Sequence, residues 1–299
     1  MILLFGANGQ LGQEMVRASA ARGMSLVALS HAEADIADAN AVREAIARHQ
    51  PALVVNAAAY TKVDLAETDV EAARRGNDIG PALLGEACAA AGIPLVHVST
   101  DYVFDGTKPT AYVETDAVSP ASSYGRSKEV GERAIRARAP RHVILRTSWV
   151  YSEFGHNFLK TILRLAATRD ELRIVADQRG CPTSTLDLAE AVLSIAPRLI
   201  AGEDVWGTYH FAGSGVTTWH GFASRIVAAQ TPFTGRSPRV TPITTAEYPL
   251  PAPRPANSEL DCSLFARTFG IRARPWTEET DRITRVLVSA QLGTAQHVA

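Results

Sequence analysis

Tyr124 and Lys128 stand four positions apart in Tyr-Gly-Arg-Ser-Lys. On a helix, residues at that spacing share a face, so phenol and ammonium can open into one site. A free phenol titrates near ~10, too high for proton transfer at neutral pH. A lysine charge about 4 Å away contributes roughly 4 kcal/mol at an effective dielectric near 20, enough to draw the phenol toward working pH. Lys128 is therefore expected to lower the pKa of Tyr124. Alone, the spacing arises often by chance as a surface helix pair. It gains weight from Ser99-Thr100-Asp101, which ends the apolar run Leu95–Ser99. Open parallel sheets bind ligands at the carboxyl ends of their strands. A Thr100 hydroxyl there could hydrogen-bond a carbonyl oxygen while Tyr124 supplies its proton, which is the chemistry of carbonyl reduction.

Reduction needs a hydride source, and a candidate site for one lies at the N-terminus. Gly6, Gly9 and Gly12 follow an apolar run, Ile2–Phe5, and open a helical stretch. Backbone amides in such a loop can approach a pyrophosphate because no Cβ intrudes, and the third glycine lets helix and strand pack closely. The spacing is G-x-x-G-x-x-G, one residue longer in its first turn than the usual dinucleotide fingerprint. At the end of the second apolar run stands Leu29-Ser30-His31-Ala32-Glu33. A carboxylate at that place usually binds the ribose hydroxyls of NAD. Ser30 carries no charge to repel a 2′-phosphate and His31 could contact one, which favours NADPH; Glu33 keeps NADH open.

These groups need a scaffold of alternating strands and helices. Apolar runs at Ile2–Phe5, Leu26–Leu29, Leu53–Ala59, Leu95–Ser99 and Val143–Leu145 lack polar alternation, as strands covered on both faces do. Helical stretches lie between them: Leu11–Ala21 stopping at Gly23, Ala41–Arg48 behind a capping Asp38, and Pro81–Ala91 ending at Gly92. The rhythm predicts an α/β fold, a Rossmann-type doubly wound parallel sheet over residues 1–150. Residues 151–299 read as a smaller, mainly substrate-binding region, with helices at Leu159–Ala167 and Thr185–Ile195 and a proline-rich stretch, mostly loop, over Pro232–Pro255. Tyr209–Ala212 could return to the sheet as a late strand, and the tail after Ala290 reads as loose.

The 299 residues are 46% hydrophobic and 20% charged, close to the globular average, with a formal net charge of −1. That balance gives no electrostatic reason to expect nucleic acid or an anionic membrane as partner. Cys88, Cys181 and Cys262 are odd in number and widely spaced, which argues against a disulfide framework or a zinc site. No apolar run reaches membrane-spanning length and Met1–Phe5 is too short for a signal peptide, so a cytoplasmic protein is expected.

The chain resembles the extended short-chain dehydrogenase/reductase superfamily and, within it, the dTDP-4-dehydrorhamnose reductase family. The likeness rests on Phe5–Gly12, Asn56–Thr61 with Val63-Asp64, Ser99–Gly106, Tyr124–Lys128, Arg146–Tyr151, Asn157-Phe158, Asp177-Gln178 with Pro182-Thr183, and Arg254-Pro255 with Asn257-Ser258. It implies NAD(P)H-dependent reduction of the C4 keto group of dTDP-4-dehydro-6-deoxy-L-mannose to dTDP-L-rhamnose, with Thr100, Tyr124 and Lys128 catalytic. It further implies that Gly6, Gly9, Gln10, Leu11 and Gly12 cradle the pyrophosphate, that Asp35 and Ile36 meet the adenine, and that Ala57, Ala58 and Ala59 line the cofactor groove. Asp101, Trp149 and Asn157 would face the dTDP-sugar, with Arg254 and Asn257 also on that side. A homodimer is compatible with the resemblance. Some relatives hold magnesium at a dimer contact through glutamates; Glu14 could match one, the sequence does not place the others, and no metal is expected. A dehydratase or epimerase on the same scaffold is the nearest rival, yet Tyr102 stands where the dehydratases resemble each other in a glutamate. A regulatory subunit like the β subunit of methionine adenosyltransferase, a binding module without catalysis, is the rival of another class.

Overall fold

The computed structural model describes residues 1–296. Five strands and their crossovers fill the first half: β1 (Ile2–Phe5), α1 (Gln10–Ala21), β2 (Leu26–Leu29), α2 (Ala39–His49), β3 (Leu53–Asn56), a short α3 (Val70–Arg74) running into α4 (Gly80–Ala91), β4 (Leu95–Thr100), α5 (Ser123–Arg138) and β5 (His142–Thr147). With the late strand Gly207–His210 they form one parallel sheet in the order 207–210, β5, β4, β3, β1, β2. Strand order reverses at β1, which leaves a crevice between the carboxyl ends of β1 and β3, the usual ligand position in such sheets.

Alternation along each strand divides the core. Ile2, Leu4, Leu53 and Val55 face α1 and α7 (Thr185–Ala201), whereas Leu3, Phe5 and Val54 face the layer of α2, α4 and α5. Asp38 caps α2 by accepting from the backbone N–H groups of Asn40 and Ala41, and Gly92 ends α4 in the left-handed conformation at φ 66°. A second lobe is built by α6 (Phe158–Ala166), α8 (Trp219–Thr234) and α10 (Trp276–Gln296) around Tyr151, Leu159, Phe222 and Ile283. The short α9 (Ser263–Phe269) packs on the strand 207–210.

Several sequence expectations need correction. β3 stops at Asn56 rather than Ala59, because the Asn56 side chain turns back to accept from the Ala58 N–H and releases the chain from the sheet. The mostly loop stretch 232–255 also holds a strand, Arg239–Ile243, paired with Glu171–Val175 on a two-stranded edge where Pro242 is tolerated, and Pro232 lies inside α8. The tail expected to be loose continues α10 to Gln296, and its last three residues lie outside those described. Among the described residues, no helix is long and apolar enough to cross a membrane.

Candidate active site

Two adjoining hollows open at the carboxyl edge of the sheet. One, of about 550 Å³, is lined by Gly6, Gly9, His31, Asp35, Ile36, Ala57, Ala58, Ala59 and Arg75 among others. The second, of about 440 Å³, shares Gly9, Ala57 and Ala59 and brings in Gln10, Leu11, Thr100, Asp101, Tyr124, Lys128 and Trp149. The continuous groove therefore runs from the glycine loop to the Tyr–Lys pair.

The residues at its first end fit a dinucleotide. Gly9 is the N-cap of α1 and supplies no side-chain cap, so first-turn N–H groups are left for an anion. Gly6 sits at φ 97°, and a Cβ there would come within 2.6 Å of the Ala58 nitrogen. Gly12 does not line the hollow. A Cβ on it would lie 2.1 Å from the Gly6 carbonyl oxygen, so this glycine lets α1 fold under its own loop rather than against a strand. Asp35 accepts from the Ala37 N–H and pairs with Arg75 at 2.8 Å; burial raises its carboxyl, but these partners hold it below the usual range. His31 is exposed beside Asp35. Ser30 is turned away, its hydroxyl and N–H both donating to Glu33 at 2.6 and 2.8 Å. Arg75 was missed in the sequence because nothing in a helical Ala-Arg-Arg-Gly marks which arginine turns inward.

At the other end, Ser122 caps α5 by accepting from the Gly125 N–H, while Glu67 receives both the N–H and the hydroxyl of Ser123 at 2.8 Å. Gly125 makes a close approach possible: a Cβ there would stand 2.2 Å from the Tyr102 carbonyl oxygen. This contact sets Tyr124 against the segment after β4. Thr100 accepts from the Tyr102 N–H and donates to Asp101 Oδ1 at 3.1 Å, and its hydroxyl lies in hydrogen-bond reach of the Tyr124 phenol. The three groups expected to be catalytic thus line one cleft.

Their electrostatics differ from expectation. Burial pushes the Tyr124 phenol above its ordinary value; the Thr100 hydroxyl eases it down and the Asp101 charge adds to the rise. Lys128 does not lower it in this arrangement, because Nζ points at the strand, donating to the Val98 carbonyl at 2.8 Å and meeting His97 Nε2 at 3.3 Å. Burial pushes the Lys128 amine down to about 8 against the charge of Glu132. A phenol that keeps its proton is the state an acid needs. Burial also raises Asp101 to about 6, while the Ser258 and Thr100 hydroxyls ease it down.

The substrate-side assignments divide. Trp149 lines the cleft at φ 48°, an unusual conformation for a bulky residue, and stacks on Trp219 with ring centroids 3.6 Å apart. Trp219 is shared with a third hollow of about 350 Å³ that includes Phe158, Arg169, Arg173, Gln178, Tyr248 and Arg254. Arg254 reaches that hollow while pairing with Asp64 at 2.6 Å. Asn157 does not line the cleft; it caps α6 and donates to Gln10 Oε1 at 2.9 Å, so it acts on the cleft through Gln10. Asn257 is not brought to the cleft either. It is buried, donating to the Lys108 and Thr110 carbonyls, which ties down the loop after Gly106. Glu14 is buried against Arg17 at 2.8 Å.

A doubly wound sheet with a glycine loop at its crevice and a Thr–Tyr–Lys cleft beside it is the architecture of a nicotinamide-dependent enzyme of the short-chain dehydrogenase/reductase type. The chain matches the family described as RmlD substrate binding domain over residues 1–288, and it belongs to that family. It is 46% identical to a dTDP-4-dehydrorhamnose reductase of Sinorhizobium fredii, over 95% of this chain and 96% of that one. A dTDP-4-dehydrorhamnose reductase structure from Clostridium acetobutylicum has a TM-score of 0.89 at 38% identity, covering 96% and 99% of the two chains. Another, from Bacillus anthracis in complex with NADP, has a TM-score of 0.87 at 32% identity, covering 94% and 97%.

Proposed function

We propose that the protein reduces the C4 keto group of dTDP-4-dehydrorhamnose to give dTDP-L-rhamnose, with NADPH as the preferred cofactor. The observation that carries this reading is the convergence of Thr100, Tyr124 and Lys128 on the groove that also holds Gly9, Gln10 and Leu11. NADPH, when bound, supplies the hydride. Thr100 and Tyr124 hold the ketone oxygen, and the Tyr124 phenol gives its proton to the alkoxide that develops there. Lys128, one turn on in α5 and tied to the Val98 carbonyl, lines the same cleft beside the cofactor groove. The Arg75 guanidinium and the exposed His31 ring, at the adenosine end of the groove, are the groups suited to a 2′-phosphate. The stacked Trp149–Trp219 pair separates a place for the sugar from the hollow at Arg169, Arg173 and Arg254, whose charges and aromatic wall suit a nucleoside diphosphate. The relatives named above, dTDP-4-dehydrorhamnose reductases by name, support the choice of substrate. A cytoplasmic setting belongs to the same proposal; three free thiols, two of them buried, fit a reducing compartment.

The test is a spectrophotometric assay with a dTDP-4-keto-6-deoxy sugar, with and without a 3,5-epimerase, following loss of NADPH or NADH absorbance. Consumption of NADPH that depends on the epimerised sugar is expected. Absence of any ketosugar-dependent oxidation of either cofactor would overturn the reading.

A further inference from the structure

Behind the catalytic cleft runs a buried polar chain from the cofactor groove to Lys128. Asn56, at the end of β3, and His97, in the middle of β4, are both wholly buried and face each other across paired strands. The Asn56 amide is fixed in orientation, because its Oδ1 accepts from the Ala58 N–H at 3.1 Å. Its Nδ2 must then be the group that meets His97 Nδ1 at 3.0 Å. An amide nitrogen only donates, so Nδ1 accepts and the neutral ring carries its single proton on Nε2. That Nε2–H faces Lys128 Nζ at 3.3 Å, while Nζ already donates to the Val98 carbonyl at 2.8 Å. An amine can accept the Nε2–H; an ammonium, having no lone pair, sets two donors against each other.

We propose that His97 is a positioning residue for the reduction: its Nε2–H docks Lys128 on the sheet only as the amine, so that gaining a proton turns the lysine toward the cleft, where Tyr124 and the cofactor groove lie. The inference rests on the reductase reading of the site. It links the backbone of Ala58, which lines the groove, to the charge of Lys128 through two side chains with no other task on the page. The other groups around this chain are accounted for. Glu132, one turn along α5, favours the ammonium, but its carboxylate is already held by Arg146 of β5 at 2.7 Å and by Arg136 at 2.9 Å. Burial keeps the His97 ring neutral, and the charges of Lys128 and then of His142, on β5, disfavour its protonation further. The burial that lowers the Lys128 amine to about 8 places the exchange near working pH.

Two measurements test this. In wild-type protein labelled with ¹⁵N-histidine, the ring shifts of His97 should report a neutral ring protonated on Nε2 from pH 6 to 8. A ring protonated on Nδ1 overturns the proposal, whatever the activity. In His97→Gln, an amide that accepts as well as donates no longer selects the amine form of Lys128, so the alkaline limb of the kcat profile should move up by about one pH unit or more. The acid limb and the NADPH dissociation constant should stay within about threefold of wild type. A folded His97→Gln enzyme whose kcat profile superimposes on wild type also overturns it. If wild-type enzyme reduces no ketosugar, the reductase reading falls while the tautomer measurement still decides the role of His97.

Discussion

At the scale of single residues, the cleft asks each side chain for one physical property. Tyr124 must hold a proton at neutral pH and give it up only to a developing alkoxide, and burial secures the first part. Tyr124→Phe removes the donor but keeps the ring that packs edge-on against Tyr102 at 5.5 Å. Turnover should fall by about 10²–10⁴-fold, the usual worth of a positioned acid. NADPH affinity, measured by fluorescence titration, should change little; near-normal turnover would remove Tyr124 from the role of proton donor. Arg75 poses a different question, because Asp35 already neutralises part of its charge at 2.8 Å. If it recognises a 2′-phosphate, Arg75→Ala should raise the KM for NADPH by about tenfold or more, one charge-assisted contact, while leaving the KM for NADH nearly unchanged. An equal rise for both cofactors would mean that Arg75 only steadies the Asp35 loop.

At the scale of elements, position comes from close backbone approach more than from side-chain bonding. Gly125 is the clearest case, since α5 lies so near the Tyr102 carbonyl that any Cβ would force them apart. Gly125→Ala should shift Tyr124 away from Thr100, costing roughly 1–3 kcal/mol of stability as overpacking does. It should lower kcat at least tenfold with NADPH binding preserved. Simultaneous loss of cofactor binding would show that the damage spreads to the glycine loop. This contact also marks what the sequence could reveal. Strand and helix positions in the first half followed from apolar runs and caps, because a parallel sheet needs continuous apolar strands and α2 and α4 carry Asp38 and Gly92 at their ends. Tyr124, Lys128 and Thr100 were legible because spacing on a helix and a place at a strand end are local facts. Arg75, Trp219 and the pairing of Arg239–Ile243 with Glu171–Val175 were not, since each depends on a partner distant in the chain. The partners of Asn157 and Asn257 were not legible for the same reason: an asparagine that caps a helix or ties a loop has the same local sequence as one that faces a ligand.

At the scale of the whole molecule, the buried ionisable groups make stability depend on pH. His97, His142 and His210 are all buried and all held below the ordinary histidine value, chiefly by burial. His210, on the edge strand 207–210, is lowered to about 3, with the Arg146 charge adding to burial. As pH falls through about 6.5 the unfolded chain takes up protons on these rings that the folded chain refuses, so stability drops. Asp101 works the other way. Its carboxyl, at about 6 in the fold, binds a proton before the unfolded chain does near ~3.9, and so favours the folded state as acid is added. Glu14 and Glu114, whose carboxyls burial also raises, act in the same sense as Asp101 and oppose the depressed imidazoles. His210, refused its proton throughout this range, should by itself make the unfolding free energy fall on going from pH 7 to pH 5, by about 1.4 kcal/mol per pH unit once well below 6.5. His210→Asn offers a direct check, because the asparagine amide can still donate to the Tyr112 carbonyl that Nδ1 now meets at 3.1 Å. Urea unfolding between pH 5 and 8 should show the acid slope reduced by about one proton in this variant. An unchanged slope would mean that His210 takes up its proton in the folded state as readily as in the unfolded one, and that the acid sensitivity comes from elsewhere in the sheet.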